Sequence, residues 1–217
     1  MWCSAVIAGL LTASTAHAGV IAFESFYSDA DPYSPGRPWH WPGSGGGSGH
    51  WGQAYRFVPV ATGTVESMEV GAFVTLSSLA DLPIRVSIHS DVGGWISDEL
   101  GSGMMPARYI STPFPSAPVT VTPDDNINLV AGQAYWLSIQ GDVATIPPQW
   151  VRWYLGDNAF EAWTYSAQIS NVVGGPVWGI NDAPGQPGAF RVLVPSPSAA
   201  SILAAAGLVA ASRRRRR

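Results

Sequence analysis

Apolar and polar positions alternate with a period of two along most of the ordered-looking stretches of this chain. Pro83 to His89 is the clearest case: Ile84, Val86 and Ile88 fall on one face, Arg85, Ser87 and His89 on the other. Asp91-Val92-Gly93-Gly94 then supplies the chemistry of a tight turn. Gln53 to Val58 alternates and stops at Pro59, and Val65 to Leu76 keeps a looser version of the pattern. Val119 to Thr122, Trp150 to Leu155 and Gly188 to Val194 read as further strands. Gln133 to Gln140 places Tyr135, Leu137 and Ile139 on one side and Trp136 on the other. Gly, Pro, Ser, Asn and Asp separate these runs, and sustained helical spacing is missing between Gly19 and Val194. The expectation is an all-β fold, an antiparallel β-sandwich of jelly-roll type. Pro42 to Gly49, built of Gly and Ser after the proline, is expected to be a flexible surface loop.

The two ends follow a different logic. Ala5 to Ala16 is a short apolar run, and Ala16-His17-Ala18 presents small residues at the two positions a signal peptidase reads. Cleavage after Ala18, leaving Gly19 first, is expected, although Met1 to Ser4 carry no basic side chain. Cys3, the single cysteine, would leave with this signal helix, so the mature chain would hold no thiol, disulfide or thiolate metal site. At the other end, apolar residues Ala199 to Ala211 precede an unbroken cationic run of Arg213, Arg214, Arg215, Arg216 and Arg217. Such a cluster behind an apolar helix resists crossing a bilayer and stays on the cytoplasmic side. The apolar run has thirteen residues, against the roughly seventeen or more a span needs, which favours a transient, cleaved anchor. The chain thus divides into a signal peptide (1–18), a β-sandwich (19–193) and a C-terminal segment with a hydrophobic helix (194–217).

Charge changes the picture of the middle. Without any lysine, and with five of eleven arginines at the extreme C-terminus, the central domain sets six arginines against all fifteen acids, a balance of −9. So acidic a surface repels phosphate backbones, which excludes nucleic acid as a partner. The length between the two ends is sufficient for one core without disulfides.

Val194-Pro195-Ser196-Pro197, the short apolar segment and the terminal arginines together resemble the PEP-CTERM sorting signal of bacterial exported proteins, with Ser196 where that family usually has Glu. The central region is similar, more loosely, to the choice-of-anchor β-sandwich domains that precede such signals. The matching pieces are Gly52 to Phe57, Gly63 to Ser67, Ile88 to Gly94 and Leu129 to Leu137, with Trp153 beyond. The resemblance implies an exported surface or matrix protein, held transiently at the membrane for a sorting enzyme of the exosortase type that cuts near Val194 to Pro197. It supplies no catalytic residues.

Independent signs of chemistry are few. His40 and His50 flank the Gly/Ser loop and His89 sits on the polar face of its strand, where it is expected to be exposed; no zinc-type spacing joins them. No nucleophile elbow or phosphate-binding glycine loop is present. A glycosidase would need two carboxylates about 5 to 9 Å apart. Glu66 and Glu69 fall on opposite faces of one expected strand, and Glu24, Glu99 and Glu161 read as isolated. Asp124, Asp125 and Asn126 are weak calcium candidates, as are Asp29 and Asp31, without the spacing of a calcium loop; a polar turn is the simpler reading. Nine tryptophans lie between Gly19 and Val194, and Trp39, Trp41 and Trp51 crowd the Gly/Ser loop as a candidate platform for stacking on sugars. The expected function is therefore an exported, non-enzymatic cell-surface or extracellular-matrix protein, with exopolysaccharide as a candidate partner and no cofactor. The alternative is a carbohydrate-binding or glycan-cleaving sandwich.

Overall fold

Residues 19–26, 38–40, 50–74, 77–106, 118–142, 151–154, 166–172, 175–181 and 188–196 are described by a computed structural model. One compact unit spans Gly19–Pro195. Alternating apolar residues need a second sheet to cover them, and two antiparallel sheets do this. The first runs in the order β1 (Val20–Glu24), β15 (Phe190–Val194), β5 (Ser67–Val70), β9 (Val119–Val121). The second is six-stranded: β14 (Gly175–Asn181), β13 (Ser166–Val172), β3 (His50–Phe57), β11 (Tyr135–Asp142), β7 (Pro83–Val92), β8 (Trp95–Pro106). Two small ribbons complete the description, β2 (Pro38–His40), β12 (Val151–Tyr154), β6 (Ala72–Val74), and β10 (Asn128–Leu129) with β4 (Gly63–Thr64).

Four of the pairings nest. The hairpin β7–β8 is enclosed by the pair β5–β9, that by β3–β11, and that by β1–β15. The outermost pair sets Val20 opposite Val194, so the unit's beginning and end lie side by side.

The core lies between the inner faces. Tyr55 and Phe57 from β3, Ile84, Val86 and Ile88 from β7, and Leu137 and Ile139 from β11 meet Met68, Val70, Val121, Phe190 and Val192 from the other sheet. Phe57 and Phe190 meet edge to face at 5.7 Å, and Tyr55 and Trp153 at 4.9 Å. Each such buried ring contributes about 1.5–3 kcal/mol relative to exposure.

The alternating faces expected for β7 and β11 are the faces observed. The stretch expected as one strand from Val65 to Leu76 instead breaks at Gly71, whose N–H turns to Ala189 O (2.9 Å), leaving β5 and β6 in different sheets. Strand β8 carries no apolar alternation. Of its inward positions Met105 is buried in the core, while Gly101 and Gly103 are bare because a Cβ there would lie 2.6 Å from Ile127 and 2.5 Å from Thr122 O. The β7–β8 turn is tight: Gly93 and Gly94 take φ of 64° and 88°, as a two-residue hairpin turn requires. The expected signal helix and C-terminal hydrophobic helix fall outside the described residues, among which no helix is long and apolar enough to cross a membrane.

Candidate functional site

Strand registers place the side chains on the outer face of the six-stranded sheet in three rows running across the strands. The middle row is small: Ala54, Ser138, Ser87 and Ser102. One flanking row holds Gln140, Arg85 and Met104; the other holds Arg56, Trp136, His89 and Glu99. Long side chains from the flanks lean over the small ones. The Arg85 guanidinium pairs with Glu99 diagonally across the middle row, and Gln140 Nε2 donates to Ser138 Oγ at 2.9 Å. The whole middle row is buried as a result.

Trp178 adds a further cover. Strand β14 stands four places from β7, which in a flat sheet would separate them by about 19 Å. Yet the Trp178 ring meets the His89 ring edge to face at 5.7 Å and packs beside Ala54 and Trp136. The β13–β14 ribbon therefore curls back over the outer face. This overturns the expectation that His89 is exposed: it is 4% exposed. A polar face is solvated only when nothing distant in sequence folds over it.

Two hydrogen-bonded centres organise the face. Asp91 accepts from Arg56 Nε (2.7 Å) and Trp136 Nε1 (2.9 Å) through Oδ2, and from Gly94 N–H (3.1 Å) through Oδ1. Burial alone would raise its pKa; these donors outweigh burial and hold the carboxyl below the usual range. The second centre is His89, whose Nε2 lies 2.9 Å from Ser138 Oγ and 3.4 Å from Gln140 Nε2. The amide nitrogen can only donate, which matches an accepting His89 Nε2 and a proton on Nδ1. That Nδ1 has the Ser97 backbone nearby without a well-aligned hydrogen bond. Burial lowers the pKa of His89 and Glu99 partly offsets it, so the ring is neutral near pH 7. Glu99 is pushed up by burial but held lower overall by Arg85.

Ser138 and His89 stand at nucleophile–base distance. Both are buried, Gln140 occupies the serine oxygen, and among the described residues no carboxylate bonds to Nδ1. The pair fixes a polar layer and presents no nucleophile to solvent.

Glu24, expected to be isolated, is not. It stands opposite Arg191, which stands opposite Glu69 on its other side. Arg191 donates to Glu24 through Nε (2.8 Å) and also reaches Glu69 (3.4 Å), with its guanidinium carbon 5.4 Å from the Phe26 ring centre. Two carboxylates are thus gathered, but around a guanidinium that donates to both. Glu99 likewise has Arg85, and Glu66 is exposed just before β5.

Of the remaining sequence candidates, Trp39 lies in β2 opposite Trp153 and Trp51 in β3 opposite Gly141, on either side of the Gly/Ser segment; Trp41 is outside the described residues. His40 ends β2 and His50 opens β3. Asp124, Asp125 and Asn126 are exposed on a bend after β9, where Asp124 N–H donates to Ser102 O at 2.8 Å. No three His, Cys, Asp or Glu side chains group as metal ligands among the described residues. Gly19 immediately precedes β1, Val194 closes β15, and Pro195 and Ser196 follow it outside any strand. Ala16, Ala18, Asp29, Asp31, Glu161 and Pro197 lie outside the described residues. So does the whole cationic run expected to stop the chain at a membrane, Arg213, Arg214, Arg215, Arg216 and Arg217. Sequence reasoning missed Asp91 as an organising centre. Its place before Gly93-Gly94 marked a turn, while nothing local tied it to Arg56 or Trp136.

No family model matches the chain, and no curated protein matches it.

Proposed function

We propose that this is an exported, non-enzymatic protein of the cell surface or extracellular matrix, sorted through its PEP-CTERM-like C-terminal segment. A signal peptide ending at Ala18 directs export. The segment from Val194 onward holds the chain at the membrane until a sorting enzyme of the exosortase type cuts near Val194 to Pro197. The supporting observation is the nested pairing that closes on β1–β15, with Val20 opposite Val194. Both cutting points then flank the outermost strand pair, and removing either peptide leaves the described strands in place. The nesting of β7–β8 within β5–β9, β3–β11 and β1–β15 supports reading the sandwich as a jelly roll, in keeping with the likeness to choice-of-anchor domains. Intact-mass measurement of the exported form tests the reading. A mass running from Gly19 to a residue between Val194 and Pro197 is expected; a mature form that keeps Arg213 to Arg217 would sink it.

A second reading, a carbohydrate-binding sandwich, draws on the half-exposed Arg85, Glu99 and Gln140 of the six-stranded face, which offer both donors and acceptors to sugar hydroxyls. Retention on neutral polysaccharide, lost in Arg85→Ala/Gln140→Ala, would support this face. Loss only in Trp39→Ala/Trp41→Ala/Trp51→Ala would move binding to the tryptophans.

A further inference from the structure

Exposed apolar side chains are unevenly spread over the sandwich. Among the described residues the large ones are Val20, Ile21, Val60, Val92, Trp95 and Val130, with Leu100 and Met104 apart from them on β8. The first six share one end. Val60 N–H donates to Ala22 O (2.7 Å), which ties the Val60 turn to β1 two residues from its start. Gly132 N–H donates to Pro59 O (2.9 Å) and Ala131 N–H to Thr62 Oγ1 (2.9 Å), which bring the Val130 turn alongside. Tyr135 is opposite Ser90, so the Val92–Trp95 hairpin tip projects beyond the sheet next to that same turn. Val194 closes the group, since a Cβ on Gly63 would come within 3.0 Å of its Cβ.

The tip is braced as well as exposed. Val92 and Trp95 face each other across the Gly93-Gly94 turn, are 62% and 57% exposed, and are braced by the Gly94–Asp91–Arg56 bonds below them. Val60 is 80% exposed and Val130 50%. Water gains nothing from this arrangement, whereas a lipid interface accepts Val and especially Trp at the headgroup level.

The chain itself names the occupant. Val194 and Pro195 close the sandwich at this same end, and the apolar run begins at Ala199. Two intervening residues span at most about 10 Å from Ser196 to Ala199. If that run sits in a bilayer, this end of the sandwich faces it. The acidic domain disfavours anionic headgroups, so the fitting surface is zwitterionic.

We propose that the end formed by Val20, Ile21, Val60, Val92, Trp95 and Val130 docks on a neutral lipid surface, orienting the sandwich while its C-terminal segment holds it at the membrane. This rests on reading that segment as an anchor, and the test separates the two. The full chain carrying Cys3→Ser receives one new cysteine at a time: Val60→Cys, Val92→Cys, Met104→Cys or Ala205→Cys. Each is labelled with an environment-sensitive dye and reconstituted in phosphatidylcholine vesicles with brominated acyl chains. Dyes at 60, 92 and 205 are expected to lose most of their emission, and the dye at 104 to keep it. Quenching at 205 without quenching at 60 and 92 overturns the docking and leaves the anchor standing. Quenching at 60 and 92 but not 205 supports the docking and removes the anchor. No quenching at any site removes both, and quenching at all four, 104 included, overturns an oriented dock. A concentration-dependent emission change at 60 and 92 without vesicles assigns this end to a second copy of the chain and overturns the lipid surface.

Discussion

The two faces of the six-stranded sheet are made by the same strands, yet they hold together in different ways. Inward positions such as Ile84, Val86, Ile88, Leu137 and Ile139 need only an apolar environment, and any close-packed neighbour satisfies them. Outward positions such as Asp91, His89 and Ser138 depend on particular donors and acceptors at particular distances. Burial on the inner face is collective and non-directional. On the outer face it is conditional, because each buried polar group needs its own partner. The inner face should therefore lose stability in proportion to volume removed, and the outer face in proportion to partners orphaned.

The largest effect expected is on the inner side. Phe190→Ala removes a ring that Phe23, Phe57 and Trp153 all touch, and should cost about 3–5 kcal/mol in denaturant unfolding. Asp91→Ala comes next, at about 2 kcal/mol, because it strands the Arg56 guanidinium and the Trp136 indole N–H. A loss near zero in that variant would break the comparison, since the outer face would then be decoration.

Acid should act on the outer face first. The pKa of His89 is lowered from its ordinary 6.5, so the unfolded chain takes up a proton before the folded one does. Stability is then fully present above pH 6.5 and falls as pH drops below it, with Asp91 and Glu99, whose pKa values are also lowered, adding to the loss in the carboxylate range. Unfolding midpoints measured from pH 7.5 to 5 should decline in the parent chain and decline less in His89→Gln, which keeps a neutral side chain at acid pH. The smallest effect belongs to Arg85→Met. Its ion pair with Glu99 is open to solvent and should contribute under about 1 kcal/mol.

The same contrast governs what one sequence could reveal. The period of two exposed the inner face at once, because alternation is a local property. Trp136 was placed correctly on the opposite side, but its burial depends on Trp178 arriving from a distant strand. That same ring hides His89, which alternation alone made an exposed residue. Strand β8 escaped notice for the opposite reason: Gly101 and Gly103 sit where neighbours leave no room for side chains, so its core-facing side shows Met105 alone and no apolar alternation. The Glu24–Arg191–Glu69 ladder joins three strands far apart in the chain, a pairing that no local pattern encodes.

What all of this presupposes is that the sheets are complete between Gly19 and Pro195. Producing residues 19–195 alone and following its unfolding in denaturant tests that most directly. One cooperative transition is expected, at the midpoint shown by the exported form. A trimmed chain that unfolds at a markedly lower midpoint, or without a cooperative transition, would contradict it.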